Sequence, residues 1–129
     1  MKKKLLTLLL MPLLVVSCSK SDSENASPNS QPKEYQVEYR ITASGYTMAN
    51  IVYADASNTQ VTEKDVPLPK TYTFKRTMKA ADVVRVGAFP NAGTAAATVT
   101  CTILLDGKQV ATNTSPGPDP QNVAIYQIP

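Results

Sequence analysis

Polar and apolar residues alternate along the segment 98–105, which leads into an Asp106-Gly107 pair. Val99, Cys101, Ile103 and Leu105 fall on one side of this segment, with the period of two that a half-buried β-strand requires. Asp-Gly supplies the two positive-φ positions of a tight hairpin turn, and the chain to residue 112 then returns antiparallel. An isolated hairpin is only marginally stable, so further strands must cover its apolar side.

The remaining strands are predicted from the same alternation. They are expected at 35–43, 46–53, 59–63, 71–78, 82–89 and 123–128, separated by turn residues. Apolar residues change parity near Ala49-Asn50, which predicts a β-bulge there, and the two prolines in 66–69 predict an edge or a sheet-crossing segment. Without a helical period, the chain is predicted to be all-β, an antiparallel β-sandwich of seven or eight strands.

The first 17 residues have the pattern of an export signal. Lys2, Lys3 and Lys4 precede an apolar run over 5–16, which is shorter than the roughly 20 residues of a membrane-spanning helix. The end of the run, Val15-Val16-Ser17-Cys18, resembles the lipobox of bacterial lipoproteins. That resemblance implies cleavage before Cys18 and a lipid on its thiol. The alternative is an ordinary secretory signal with a chance cysteine.

Residues 18–33 are polar, with Ser, Asn, Asp, Glu, Lys and Gln prevailing, and are predicted to form a flexible tether before a folded domain over 34–129. The stretch 18–24, C-S-K-S-D-S-E, is similar to the signals that follow the lipidated cysteine in Bacteroidota-type lipoproteins. This resemblance implies a lipid-anchored protein of the outer membrane, on its periplasmic or its cell-surface side.

The folded part resembles the MmpS family, the small accessory proteins of mycobacterial lipid transporters. The resemblance rests on Val37-x-Tyr39-x-Ile41, Ile51-x-Tyr53, Val66-x-Leu68-Pro69 and Val99-x-Cys101-x-Ile103-x-Leu105-Asp106-Gly107. It implies an immunoglobulin-like sandwich and an accessory role in transport. The family's own anchor is a transmembrane helix, and its second cysteine near the C-terminus has no counterpart in this chain.

Composition excludes several classes of function. The net charge of +3 comes from Lys2, Lys3 and Lys4, since the rest of the chain has ten basic and ten acidic residues; nucleic acid is therefore not an expected partner. No histidine is present, and no spacing pairs two carboxylates, so no enzyme activity, cofactor or metal is predicted. The alternative to the absence of a metal is a Ca²⁺ site in a loop, formed by oxygens of Asp55, Asn58, Glu63 and Asp65.

The candidate binding surface consists of residues that the fold is not expected to need. Three are aromatic and lie at strand ends or against the strand parity, and four form a basic run: Tyr46, Phe89, Tyr126, Lys70, Lys75, Arg76 and Lys79. The alternative for the basic run is a solvated strand face that discourages aggregation. The inward parity of Cys101 predicts a buried, inert thiol, and that of Tyr35, Tyr39, Tyr53 and Tyr72 predicts core positions.

Two functions remain open. The first is a non-enzymatic, lipid-anchored envelope protein that acts through contacts with an envelope protein partner, as a structural or transport accessory. The alternative is a cell-surface module that binds glycans or lipids.

Overall fold

The computed structural model describes residues 31–129, which form eight β-strands. The strands are β1 (Lys33–Ser44), β2 (Met48–Ala54), β3 (Gln60–Pro67), β4 (Lys70–Met78), β5 (Val83–Phe89), β6 (Thr98–Leu105), β7 (Lys108–Pro116) and β8 (Asn122–Gln127). The predicted signal peptide 1–17, the lipidation site Cys18 and the tether up to residue 30 lie outside the described residues. No helix of the described part is long and apolar enough to cross a membrane.

The strands form two four-stranded sheets with antiparallel pairing throughout. Sheet A has the order β4-β1-β6-β7, and sheet B has the order β3-β2-β5-β8. The predicted all-β, antiparallel β-sandwich is therefore confirmed. The segment with two prolines is the end of β3, at an edge of sheet B as predicted, and a cis peptide bond joins Leu68 to Pro69 in the crossing to β4.

The alternating strands give the sandwich two distinct ends. The proximal end holds the start of β1, the β2–β3 loop, the β4–β5 turn, the β6–β7 turn and the end of β8. The distal end holds the β1–β2, β3–β4, β5–β6 and β7–β8 connections. The N-terminal part of the chain therefore enters at the proximal end, beside the last strand residue, Gln127.

The core lies between the sheets and follows the predicted parity. Alternate residues of β1, β5 and β6 are fully buried, among them Val37, Tyr39, Ile41, Val84, Val86, Val99, Cys101 and Ile103. Complete burial of one such aliphatic side chain is worth about 1.5–3 kcal/mol, so these rows supply much of the folding free energy. The predicted burial of Cys101 is confirmed.

The hairpin between β6 and β7 has the predicted turn. Asp106 and Gly107 have φ angles of 51° and 79°, and Leu105 lies opposite Lys108. The Asp106 carboxylate also accepts hydrogen bonds from the backbone N–H of Gln36, at 2.9 Å, and from Lys33 Nζ, at 3.2 Å. These two bonds hold the turn against β1 and lower the pKa of Asp106, because they favour its charged form.

Two bulges modify the sheets. The register of β2 against β3 shifts between Ala49 and Ile51, which confirms the bulge predicted there. In β7, Gln109 lies opposite Leu104 and Ala111 lies opposite Ile103, so Val110 is an extra residue without a partner in β6. Bulges at sheet edges redirect side chains, and β7 is an edge of sheet A.

Candidate functional site

The structure does not bring the predicted binding residues together. Tyr46 was expected to be exposed, but only 7% of it is accessible, and its hydroxyl donates to the carbonyl of Gly117. Gly93 lies against the Tyr46 ring, where an added Cβ would overlap the aromatic carbons. Tyr46 is therefore a core residue of the distal end, covered by two loops distant in sequence.

The structure also separates the four residues of the predicted basic run from one another. Arg76 is only 6% exposed, and its Nη1 donates to the carbonyl of Val83 at 3.1 Å. Its exposure was predicted wrongly, because Arg76 shares the inward parity of Tyr72 and Phe74 on β4. Lys70 lies over the Tyr72 ring, with 5.2 Å from Nζ to the ring centroid.

The other two lysines are exposed near the proximal end. Lys75 lies on the outer face of sheet A and pairs with Glu34 at 3.1 Å. Lys79 follows the end of β4, and its backbone N–H donates to Asp82. The four basic residues thus point in different directions and do not form one continuous surface.

Phe89 lies on the outer face of sheet B, among apolar side chains that the fold does not bury. We call this surface the sheet B face and define it by Val52, Val83, Arg85, Phe89, Val123 and Ile125. Ile125 is 59% exposed, Val123 39% and Val83 37%. Exposed apolar side chains that adjoin one another in this way mark an interaction surface more often than isolated ones do.

Gly87 shapes the centre of the sheet B face. A Cβ at this position would lie 3.1 Å from the Phe89 ring and 3.3 Å from Val123 Cγ2, so the aromatic ring packs over bare backbone. Beside it is a groove of about 150 Å³ lined by Val52, Gln60, Arg85, Val86, Gly87, Phe89 and Val123. The missing side chain of Gly87 therefore lets Phe89 lie flat against the sheet.

Arg85 is the only charged residue that lines this groove. Its Nη2 donates to Gln60 Oε1 at 2.9 Å. The ion pairs within residues 31–129 are Lys33–Asp106, Arg40–Glu38 and Lys75–Glu34, so Arg85 has no carboxylate partner in this part of the chain. An apolar groove with one uncompensated guanidinium suits a partner that offers apolar side chains and a carboxylate.

The outer face of sheet A has the opposite character. Thr100 and Thr114 share a hydroxyl hydrogen bond of 2.8 Å across β6 and β7. The charged side chains of β1 and β4 on this face are paired with each other, as in Glu34 and Lys75. Its polar groups pair within the sheet or face solvent, so the sheet B face is the stronger candidate for binding.

Tyr126 lines a larger cavity at the proximal end. This proximal cavity has a volume of about 390 Å³ and is lined by Tyr35, Leu105, Asp106, Lys108, Val110, Tyr126, Ile128 and Pro129. Tyr126 is half-buried on the inner side of β8, together with Ala124 and Ile128. A third depression, of about 190 Å³, lies at the distal end beside Tyr46 and the exposed Met48.

The exposed residues Val123 and Ile125 were not among the predicted site residues. Both parities of the closing strand are apolar in sequence, so alternation alone does not decide which of them faces the core. In the structure Val123 and Ile125 face outward. A weak signal was present, since Gln127 shares their parity and is polar. That single polar residue favours an outward direction for the odd-numbered positions of β8.

Burial favours the neutral forms of the interior thiol and of the interior tyrosine hydroxyls. Burial raises the pKa of the Cys101 thiol to about 12 and that of the Tyr39 hydroxyl to about 12. Burial and the hydrogen bond from its hydroxyl to Glu63, at 2.8 Å, raise the pKa of Tyr72. Within residues 31–129, no group of three or more His, Cys, Asp or Glu side chains could hold a metal ion.

Comparison with known families gives a match over most of the chain. A family model described as Mycobacterium membrane protein matches residues 14–120. The matched segment contains β1 to β7 and ends before β8. A search of curated proteins gave no match.

Proposed function

The chain belongs to the Mycobacterium membrane protein family, and from that membership we propose that it is a non-enzymatic accessory protein of the cell envelope. The predicted resemblance to the MmpS family agrees with this match. In the proposed role the sandwich holds a second envelope protein by surface contact, and its own residues perform no covalent chemistry.

The observation that supports this function is the contrast between the two outer faces of the sandwich. The sheet B face exposes Val123, Ile125 and half-buried Phe89 around Arg85, which has no carboxylate partner within residues 31–129, whereas sheet A presents threonines and compensated charges. Aromatic residues and arginine are enriched in the energetically important parts of protein interfaces. We therefore place the partner on the sheet B face.

The location of this face suits a membrane-associated protein. The chain enters at the proximal end, so a membrane attachment through the N-terminal residues joins one end of the sandwich and leaves both sheet faces free. A neighbouring membrane protein with an extracytoplasmic domain can then contact the sheet B face laterally. The proposed partner surface is apolar and contains at least one carboxylate opposite Arg85.

In-cell photo-crosslinking tests this proposal. A photoreactive amino acid replaces Ile125 in one variant and the exposed Thr112, on the outer face of sheet A, in a matched control. We expect crosslinks from position 125 to one envelope protein, identified by mass spectrometry, and none of that species from position 112. Equal crosslinking from both positions, or crosslinks from position 125 to lipid alone, would contradict the proposed function.

For the anchor we propose a lipoprotein of Bacteroidota type, with residues 1–17 as its signal peptide and a lipid on Cys18 that holds it in the outer membrane. The charged start, the apolar run and the position of the cysteine support this assignment. Cys18→Ser should abolish fatty-acid labelling, whereas Cys101→Ser should keep it. A wild-type protein that takes up no fatty acid yet stays in carbonate-washed membranes would instead favour a transmembrane anchor.

A further inference from the structure

The two long sides of the sandwich are closed differently. On the side of β3 and β4, an aromatic cluster fills the space between the sheets. The rings of Tyr53 and Tyr72 lie 4.3 Å apart, and those of Tyr39 and Phe74 lie 5.5 Å apart. Glu63 accepts hydrogen bonds from the hydroxyls of Tyr53 and Tyr72, so this side is closed by packing and by hydrogen bonds.

On the side of β7 and β8, hydrogen bonds join the sheets only in the distal half. Asn113 Nδ2 donates to the carbonyl of Val123 at 3.1 Å, and Asn122 Nδ2 donates to the carbonyl of Asn113 at 3.0 Å. The proximal half of the same side contains the proximal cavity, of about 390 Å³. The sandwich is therefore open at one corner, between β7 and β8.

The lining of this corner is apolar and is shaped by the bulge in β7. Val110, the extra residue of that bulge, lines the cavity together with Tyr35, Leu105, Tyr126 and Ile128. These side chains come from strands of both sheets and also border the main hydrophobic core. A ligand that enters here would contact apolar side chains on both of its sides.

The mouth of the cavity is charged. Asp106 is bonded to Lys33 at 3.2 Å, which leaves Lys108 as a lysine of the mouth without an ion-pair partner within residues 31–129. The cavity also lies at the proximal end, where the chain leads back to Cys18, the proposed site of the lipid anchor. In a membrane protein that end is the one that the N-terminal segment connects to the bilayer.

We propose that the proximal cavity binds one acyl chain of an anionic membrane lipid. The aliphatic chain occupies the space between β7 and β8, and the Lys108 ammonium contacts the lipid phosphate. Bound in this way, the lipid holds the proximal end of the sandwich on the bilayer surface. The proposal rests on the membrane association in the proposed function, but it does not depend on the protein contact at the sheet B face.

The test uses the full chain in lipid nanodiscs that contain a photoactivatable lipid with a diazirine near the end of one acyl chain. One set of discs contains the probe as phosphatidylglycerol, a second contains it as phosphatidylcholine, and a third contains it as a free fatty acid. After irradiation, mass spectrometry locates the labelled residues. We expect adducts on Val110, Tyr126 or Ile128, with more labelling from phosphatidylglycerol than from the other two probes.

Two variants change the cavity in different ways. Val110→Trp narrows it and should reduce labelling about tenfold, which corresponds to about 1.4 kcal/mol of binding free energy. Lys108→Gln should leave the cavity intact but reduce the preference for phosphatidylglycerol about fivefold, as expected for one lysine near an anionic surface. Ile125→Ser, on the sheet B face, should leave labelling of the cavity unchanged. Thermal unfolding of each variant checks that it is folded.

The outcomes separate this proposal from the proposed function. Labelling of Tyr126 that persists in a folded Val110→Trp variant, or adducts spread evenly over exposed strands, would overturn the acyl-chain site. Equal labelling by all three probes would overturn the role of Lys108 and of the anionic headgroup. Loss of the protein partner from pull-downs of Ile125→Ser with intact lipid labelling would support both assignments, because the two surfaces are distinct.

Discussion

Replacement of Asn122 by alanine should destabilise the sandwich more than any other single polar change on the side of β7 and β8. Asn122 is fully buried, and its Nδ2 lies 3.1 Å from the carbonyl of Val99, 3.0 Å from that of Asn113 and 3.1 Å from Ser115 Oγ. One side-chain amide thus satisfies acceptors on β6 and on β7 while its own residue lies on β8. Asn122→Ala removes the donor and leaves the Val99 carbonyl buried without it, whereas the Asn113 carbonyl and Ser115 Oγ are only partly buried.

The expected cost follows from these contacts. Each hydrogen bond contributes about 1 kcal/mol net, and an unsatisfied buried acceptor costs about 1–3 kcal/mol. Two backbone carbonyls lose this donor, so the free energy of unfolding should fall by about 2–4 kcal/mol. Urea unfolding followed by circular dichroism measures this change.

Asn113→Ala is the matched control. Asn113 is exposed and its Nδ2 donates only to the carbonyl of Val123, at 3.1 Å, so this substitution should cost less than about 1 kcal/mol. Asn122→Asp should be more harmful than Asn122→Ala, because it places a carboxylate against the same acceptors. If Asn122→Ala costs no more than Asn113→Ala, the buried amide does not hold this side of the sandwich.

Three further predictions concern other parts of the fold. Burial raises the pKa of Cys101 to about 12, so this thiol should react with Ellman's reagent only after unfolding, and rapid labelling of the native protein would contradict its burial. The free energy of unfolding should also fall above about pH 9, because the thiol ionises there in the unfolded chain but not in the folded one. Gly93→Ala should cost about 1–3 kcal/mol by displacing the Tyr46 ring, and a double-mutant cycle with Tyr46→Ala should show that this cost largely disappears without the ring. Asp106 has a lowered pKa, so its contribution to the free energy of unfolding is present above about pH 4 and is lost as the pH falls through the folded-state pKa. Asp106→Asn should therefore weaken the acid dependence of the thermal midpoint. An unchanged acid dependence would show that the bonds of Asp106 to Gln36 and Lys33 do not stabilise the turn.

Local patterns in the sequence were sufficient to predict most of the fold. The alternation of polar and apolar residues predicted the strands and the inward direction of Cys101, and the pair Asp106-Gly107 predicted the turn. These features could be predicted because each depends only on residues that are neighbours in the sequence. The bulge near Ala49 was visible as a change of parity. The order of the strands within the sheets required the structure, since it depends on pairings between distant segments.

The candidate site was harder to predict for two physical reasons. Tyr46 is buried because loops around Gly93 and Gly117 cover it, and those contacts are not encoded near Tyr46 in the sequence. Arg76 shows a different error. Its parity matched the buried side of β4, but its charge suggested exposure, and in the structure a bond to the carbonyl of Val83 accompanies its burial.

Hydroxyl-radical footprinting of the protein in intact membranes tests the central claim most directly. The claim is that the sheet B face is covered by a protein partner, while the outer face of sheet A remains open to solvent. Oxidation of Phe89 and Ile125 should be several-fold lower in native membranes than in the purified chain, with little change at Thr112. Equal oxidation of Phe89 and Ile125 in both preparations would contradict the account, since it would show that this apolar face has no partner in the envelope.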